Sequence, residues 1–213
     1  MIQNNARLAK DDVSAALKHT ENARGPLKGS VYLLAAEVYS IYAESDEKLK
    51  TQCRKWQDKA LNFLYKGKVE PDGSFLLFDL YAVHHERAKT QTRFALFHTN
   101  DDELVSQIRD MGHKKAHASS IKDAQSALTT ARSQFGFGTP KKELNIAVTE
   151  ARLHLIEGEF EESSRTAKHA LQCAKAAHSQ RGVSEIRRIY SMLHKVAPHN
   201  PHVCNLGVEL GIY

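Results

Sequence analysis

Residues 120–131, SIKDAQSALTTA, align without gaps to residues 163–174, SSRTAKHALQCA. Both stretches follow the pattern S-x3-A-x2-A-L-x2-A, and their central Ala-Leu pair recurs at three further places. These places are Ala16-Leu17, Ala60-Leu61 and Ala95-Leu96, each towards the end of a predicted helix. Small side chains three and four residues apart form a smooth ridge that lets a neighbouring helix approach closely. The repetition therefore predicts helices that stack on one another in the same way along the chain.

The composition also favours helices over strands. The 213 residues include only 11 Gly and 5 Pro, too few for the frequent turns of most β architectures. Caps and helix breakers divide the chain into nine or ten predicted helices. The expected helices span residues 11–24, 27–43, 47–65, 74–98, 101–111, 114–135, 141–157, 161–178, 183–196 and 201–210. Short links between helices of similar length place neighbours antiparallel.

One stretch, from Ala147 to Leu171, resembles a tetratricopeptide repeat. The residues that match the pattern of that family are Ala151 in the first helix, Gly158 and Phe160 at the turn, and Ser163, Ala167 and Ala170 in the second helix. Residues 27–61 resemble the repeat more loosely. The Ala-Leu pairs are 44, 35, 32 and 43 residues apart, against a family norm of about 34. The chain is therefore similar to a degenerate array.

The resemblance implies an all-α fold, a right-handed superhelix of antiparallel helix pairs. We expect a single domain over residues 1–213, with residues 199–213 as a C-terminal capping helix. Degenerate arrays of this style form the C-terminal sensor domains of bacterial regulators that respond to signalling peptides. An unpaired first helix would suit a fragment of such a regulator, with a DNA-binding domain outside this chain.

In such arrays the first helices of successive pairs line a concave surface, where side chains are not consumed by stacking. The resemblance places eight residues there: Asn145, Val148, Arg152 and Leu155 in one repeat, and Leu33, Glu37, Ser40 and Ile41 in the earlier one. Asn145 could pair with a peptide backbone and Arg152 with a carboxylate; alternatively, both point into water and bind nothing. The expected function is recognition of a protein or peptide ligand in a regulatory or scaffolding role.

A net charge of +5 leaves nucleic acid as a second hypothesis for the partner. The basic pairs Lys114-Lys115, Lys141-Lys142 and Arg187-Arg188 are dispersed, and aromatic residues do not interleave with them as stacking platforms would. An ordinary solvated surface explains them more simply. Clustering of the basic residues on one face would favour nucleic acid.

The motifs of enzymes, cofactor sites and metal sites are missing from the sequence. His113 and His117 have the i, i+4 spacing of two zinc ligands, but the two lysines between them disfavour a divalent cation. Cys173 lies on a predicted stacking face, and no neighbouring base can be named for it. We therefore expect no catalytic residues, no cofactor and no metal.

The three cysteines, Cys53, Cys173 and Cys204, lie far apart and contain no CxxC pair, which disfavours a disulfide framework. No apolar run approaches membrane-spanning length, and the first residues lack the apolar core of a signal peptide. The sequence thus predicts a cytoplasmic protein without a membrane partner, and it does not predict the oligomeric state.

Overall fold

The computed structural model of the protein describes residues 2–23, 25–43, 46–66, 78–95, 105, 106, 108, 111–134 and 139–212, without the side chains of 2–7, 66 and 111–117. These residues fold into nine α-helices and no strand. The helices are α1 (Ile2–His19), α2 (Gly25–Ser40), α3 (Glu47–Lys66), α4 (Leu80–Ala95), α5 (Met111–Ser133), α6 (Pro140–Glu157), α7 (Phe160–Ala176), α8 (Gln180–Val196) and α9 (Pro201–Glu209). The all-α class is confirmed.

Consecutive helices pack as pairs, α2 with α3, α4 with α5 and α6 with α7. The first helix of each pair also contacts the first helix of the next, so that α2, α4, α6 and α8 lie side by side. We call these four helices the inner layer. The second helices α3, α5 and α7 pack against one side of this inner layer. At the two ends of the array, α1 packs on α2, and α9 packs on α7 and α8. The expected array of stacked helix pairs is therefore present.

Several helix boundaries follow from caps visible in the sequence. Thr139 caps α6 and Asn200 caps α9, each followed by a proline whose missing N–H is not needed at a helix start. The α6–α7 turn depends on Gly158, which adopts φ 75° and ends α6. These three boundaries were predictable because the cap residues act locally.

Other boundaries differ from the predicted ones. Helix α1 begins at Ile2 and not at Asp11, since no glycine or proline precedes Asp11. Helix α4 begins at Leu80 and not at residue 74, because the Asp79 carboxylate accepts the backbone N–H of Ala82 at 2.7 Å and caps the helix. Gly112 lies inside α5, where an interruption was expected. The predicted turns at Gly67, 71–73, 99–101 and 136–138 lie outside the described residues.

The stacking ridges predicted from the repeated Ala-Leu pairs lie in the interior. Ala60, Ala95 and Ala170 are fully buried and Ala127 is nearly so, whereas Ala16 in α1 is only half-buried. In the best-matching pair of helices, the Ser163 hydroxyl donates to the backbone carbonyl of Ala151 at 2.7 Å. Small residues therefore let α6 and α7 approach closely.

None of the described helices has the length and apolar character needed to cross a lipid bilayer.

Candidate ligand-binding surface

One side of the inner layer faces away from the second helices, and we call it the inner surface. Polar side chains from all four inner helices meet there. Arg181 of α8 is close enough to Glu37 of α2 to help lower the pKa of its carboxyl, although α2 and α8 do not pack on each other. Charged side chains of these helices are therefore close enough to influence one another across the inner surface.

Lys89 of α4 joins two carboxylates on this surface. Its ammonium lies 2.9 Å from an oxygen of Glu37 and 2.6 Å from an oxygen of Glu86. Glu86 and Lys89 are three residues apart and so share one face of α4. All three side chains keep between 17% and 30% of their accessible surface, so the group is partly open to solvent.

Arg93 extends the same face of α4 by one further turn. Its guanidinium donates to the backbone carbonyl of Glu37 at 3.1 Å and to the Ser40 hydroxyl at 2.9 Å. The Ser40 hydroxyl itself donates to the Glu37 carbonyl at 2.6 Å. These bonds hold the end of α2 against α4, and Arg93 is itself partly buried.

The pKa values of the two carboxyl groups around Lys89 are shifted in opposite directions. Burial alone would raise the pKa of the Glu37 carboxyl, but Lys89, Arg93 and Arg181 outweigh it and hold this pKa below its usual range. For Glu86, burial raises the pKa, Lys89 opposes the rise and the Glu37 carboxylate adds to it. On acidification Glu86 therefore takes up a proton before Glu37, and the surface becomes more positive.

Arg152 of α6 forms an ion pair with Glu185 of α8. Burial lowers the pKa of the Arg152 guanidinium, Glu185 raises it, and Arg188 and Arg93 lower it by repulsion. Arg152 nevertheless keeps 28% of its side-chain surface exposed. Four helices thus contribute charges to one continuous, half-open surface.

The inner surface also contains an apolar stripe on α2. Leu27, Leu34 and Ile41 follow one another at seven-residue spacing and are 43%, 47% and 39% exposed. Glu37 lies between Leu34 and Ile41 in the sequence, and its carboxylate forms an ion pair with Lys89 of α4. We call Leu27, Leu34 and Ile41 the aliphatic stripe; it borders the charged group directly.

Of the eight residues that the resemblance placed on a concave surface, Glu37, Ile41 and Arg152 lie on the inner surface. Ser40 is only 4% exposed and lies buried against Arg93. Leu33 and Leu155 are 8% and 1% exposed and pack in the hydrophobic core. Val148 is half-buried against the same core as Leu155. The side chain of Asn145 hydrogen-bonds the Tyr81 hydroxyl and therefore holds α6 against α4.

A buried histidine packs between α4 and α6 of the inner layer. His85 of α4 stacks on Tyr81, and its Nε2 lies 3.1 Å from the carbonyl of Asn145 and 3.3 Å from the Thr149 hydroxyl. Burial, together with the Lys89 charge, lowers the pKa of His85 to about 4. The imidazole is therefore neutral at physiological pH and donates from Nε2 to the carbonyl.

Sequence reasoning missed four charged residues of the inner surface, Glu86, Lys89, Arg93 and Glu185, and it considered Arg188 only as a possible nucleic-acid contact. Their spacing carried a signal, because Glu86, Lys89 and Arg93 repeat every three to four residues. Arg181, Glu185 and Arg188 do the same on α8. Such stripes show which residues share a face, but the packing decides whether that face lines the interior of the array.

Two other side-chain groups among the described residues bear on chemistry. The Sγ of Cys173 lies 3.7 Å from Nε2 of His169, and the same nitrogen is 3.2 Å from Glu143. A relay from carboxylate to thiol needs both ring nitrogens, and burial raises the pKa of the Cys173 thiol. This arrangement therefore does not activate the thiol.

The second group lies at the α6–α7 turn. The possible ligand atoms of His154, Glu157 and Glu159 lie within 4.8 Å of one another. His154 Nδ1 pairs with Glu159 at 2.7 Å, and the amide of Gln125 donates to Glu157 at 2.9 Å. Protein partners thus already engage these atoms. The side chains of His113 and His117 lie outside the described residues.

Comparisons with protein-family models, with curated proteins and with solved structures each found no match to this chain. We therefore infer its function from the fold and from the inner surface.

Proposed function

We propose that the chain is a helical-repeat module of the tetratricopeptide type that binds a protein or peptide on its inner surface. The proposal rests on one observation above all: four stacked helices contribute partly exposed, mutually paired charges to the inner surface. A fold that needed these groups only for stability would gain little from half-exposed ion pairs. Their partial exposure leaves donors and acceptors for a ligand.

A regulatory or scaffolding role in the cytoplasm fits this proposal. Helical arrays of this kind present an extended surface without the enclosed, dry pocket that catalysis uses. The charges and amides of the ligand would replace water at the inner surface. Because α4, α6 and α8 are packed on one another, the protein would lose little conformational entropy on binding.

Nucleic acid is the second candidate partner, and the position of the arginines favours it in part. Arg93, Arg152, Arg181 and Arg188 interact with the same group of side chains, so basic residues do cluster. However, the exposed apolar residues of the inner surface are the aliphatic stripe and not a row of aromatic residues on which bases could stack. Peptide binding accounts for both features.

The test is affinity capture from native lysate, with and without nuclease, using the wild type and two charge-reversal variants. Arg188→Glu alters the inner surface, and Arg187→Glu makes the same change about 100° further around α8. We expect partners that resist nuclease, that Arg187→Glu retains and that Arg188→Glu loses. Partners that disappear with nuclease, or that both variants retain equally, would contradict the proposal.

A further inference from the structure

The interior of the array is not uniform along its length. At the C-terminal end, one continuous hydrophobic cluster joins α6, α7, α8 and α9. From α1 to α4, the buried hydrophobic residues instead form three small, separate clusters. Burial of apolar surface is the main source of the free energy that holds helices together. A smaller and divided core therefore holds the first helix pair, α2 and α3, against α4.

Buried polar atoms without a hydrogen-bond partner are found at the same end. Both amide atoms of Gln57 in α3 are buried and unpaired, and so are the Thr90 hydroxyl and the Gln91 amide nitrogen in α4. A desolvated polar atom without a partner weakens the packing around it. Among the residues that the structure describes, those with such an atom are Ser30, Tyr42, Arg54, Gln57, Thr90 and Gln91.

The unpaired amide of Gln57 lies where the core between α3 and α4 is divided. Cys53 of α3 and Phe94 of α4 belong to one hydrophobic cluster, and Ala60 of α3 and Val83 of α4 belong to another. Gln57 lies between Cys53 and Ala60 along α3. Polar side chains thus replace apolar contacts at the centre of this junction.

The polar contacts across the same junction are weak. The Arg54 guanidinium donates to the Gln91 amide oxygen at 3.4 Å, near the upper limit for a hydrogen bond. Arg87 pairs with Asp58 at 3.2 Å, but these side chains are 33% and 57% exposed. Exposed ion pairs contribute little to stability. The junction between α3 and α4 therefore has neither a continuous core nor strong polar bonds.

We infer that this junction is a hinge at which α1, α2 and α3 separate from α4 as one unit, while α6 to α9 remain folded. We call α1, α2 and α3 the N-terminal unit. Segments with few buried apolar contacts open at a lower free energy than the rest of a fold. Opening solvates the amides of Gln57 and Gln91, and this offsets part of the apolar surface that becomes exposed.

The hinge crosses the inner surface. Opening separates Glu37 of α2 from Lys89 of α4, whose ion pair joins the two helices in the closed array. A ligand that contacts both α2 and α4 therefore binds the closed array and opposes opening. This consequence rests on the proposed function, whereas the hinge itself does not.

Native-state hydrogen exchange of the full chain, measured by mass spectrometry, tests the inference. We expect the slowest amides of α2 and α3 to exchange about tenfold faster, or more, than those of α6, α7 and α8. Gln57→Met removes the unpaired amide at similar volume and favours the closed array. It should therefore slow exchange in α2 and α3 by about fivefold.

Ile189→Val, in the core of α8, distinguishes local opening from global unfolding. Ile189 is fully buried, and the loss of one methyl group should speed exchange in α6, α7 and α8 by about fivefold. Exchange in α2 and α3 should stay unchanged, because opening of the N-terminal unit leaves α8 folded.

Two results would show that the array unfolds as one unit and would overturn the inference. One is equal protection of α3 and α8 in the wild type, and the other is an equal effect of Ile189→Val on both helices. Exchange in α2 and α3 that Gln57→Met does not slow would overturn the role of the α3–α4 junction as the hinge. None of these measurements involves a ligand, so the proposed function keeps its own test.

Discussion

The Lys89 ammonium lies 2.9 Å from the Glu37 carboxylate and so joins α4 to α2 across the inner layer. The two residues are 52 positions apart in the chain, and only the stacking of the helix pairs brings them together. Because both side chains remain partly exposed, the contact can contribute to ligand binding as well as to stability. The same holds for Arg152 and Glu185.

Replacement of Arg152 or Glu185 by Ala should reduce stability only slightly. The two side chains keep 28% and 35% of their surface exposed, and Arg188 and Arg93 repel Arg152, so each single variant should lose less than about 1 kcal/mol of unfolding free energy. Urea denaturation of both single variants and the double variant measures the coupling between them. A coupling of several kcal/mol would mean that the ion pair is a structural element and not part of an open ligand surface.

The stability of the fold should fall between pH 6.5 and about 4 because of His85. The folded chain keeps this imidazole neutral down to about pH 4, whereas the unfolded chain takes up a proton near pH 6.5. Acidification across this range therefore favours unfolding, by up to about 3 kcal/mol. Denaturation at several pH values should show a flatter dependence for His85→Gln than for the wild type.

An exposed histidine provides the control for that comparison. His199→Gln makes the same substitution at an exposed residue, and of the two variants His85→Gln should show the flatter pH dependence. Parallel curves for the wild type and His85→Gln would show that the imidazole is not held neutral.

The α6–α7 turn should tolerate Asn but not Ala at Gly158. The residue adopts φ 75°, where a Cβ atom costs about 1–2 kcal/mol and an Asn side chain costs less. Thermal denaturation should therefore rank the wild type above Gly158→Asn and that variant above Gly158→Ala. Equal melting temperatures for all three would mean that the turn relaxes to another conformation.

Gln57→Met should stabilise the protein. Gln57 of α3 is fully buried, and neither atom of its amide has a hydrogen-bond partner among the described protein groups. Removing a desolvated amide while keeping its volume should raise the unfolding free energy by about 1 kcal/mol. Gln57→Ala, which also leaves a cavity, should lower it by about 2 kcal/mol. A loss in Gln57→Met as large as that in Gln57→Ala would contradict the prediction.

The helical class and the stacking pattern were predictable because they depend on local signals. The burial of Ala60, Ala127 and Ala170 follows from a repeated motif that any helix pair can use. The cap at Thr139 and the turn at Gly158 act within a few residues. These features needed no knowledge of distant contacts.

The inner surface was only partly predictable, since it depends on the rotation of each helix about its axis. Arg152 and Glu37 were identified by their position in the repeat, but Leu155, three residues after Arg152, turns into the core. The stretch containing Lys89 matches the repeat pattern too weakly to set that rotation. Its contacts with Glu37 appear only when α2 and α4 are stacked.

Site-specific photocrosslinking tests the central claim most directly. A photoreactive amino acid at position 34, on the aliphatic stripe, is compared with the same residue at position 208, on α9, in native lysate treated with nuclease. We predict a protein or peptide partner crosslinked from position 34, which an excess of the unmodified chain suppresses, and none from position 208. A partner that crosslinks from position 208 and not from position 34 would contradict binding at the inner surface.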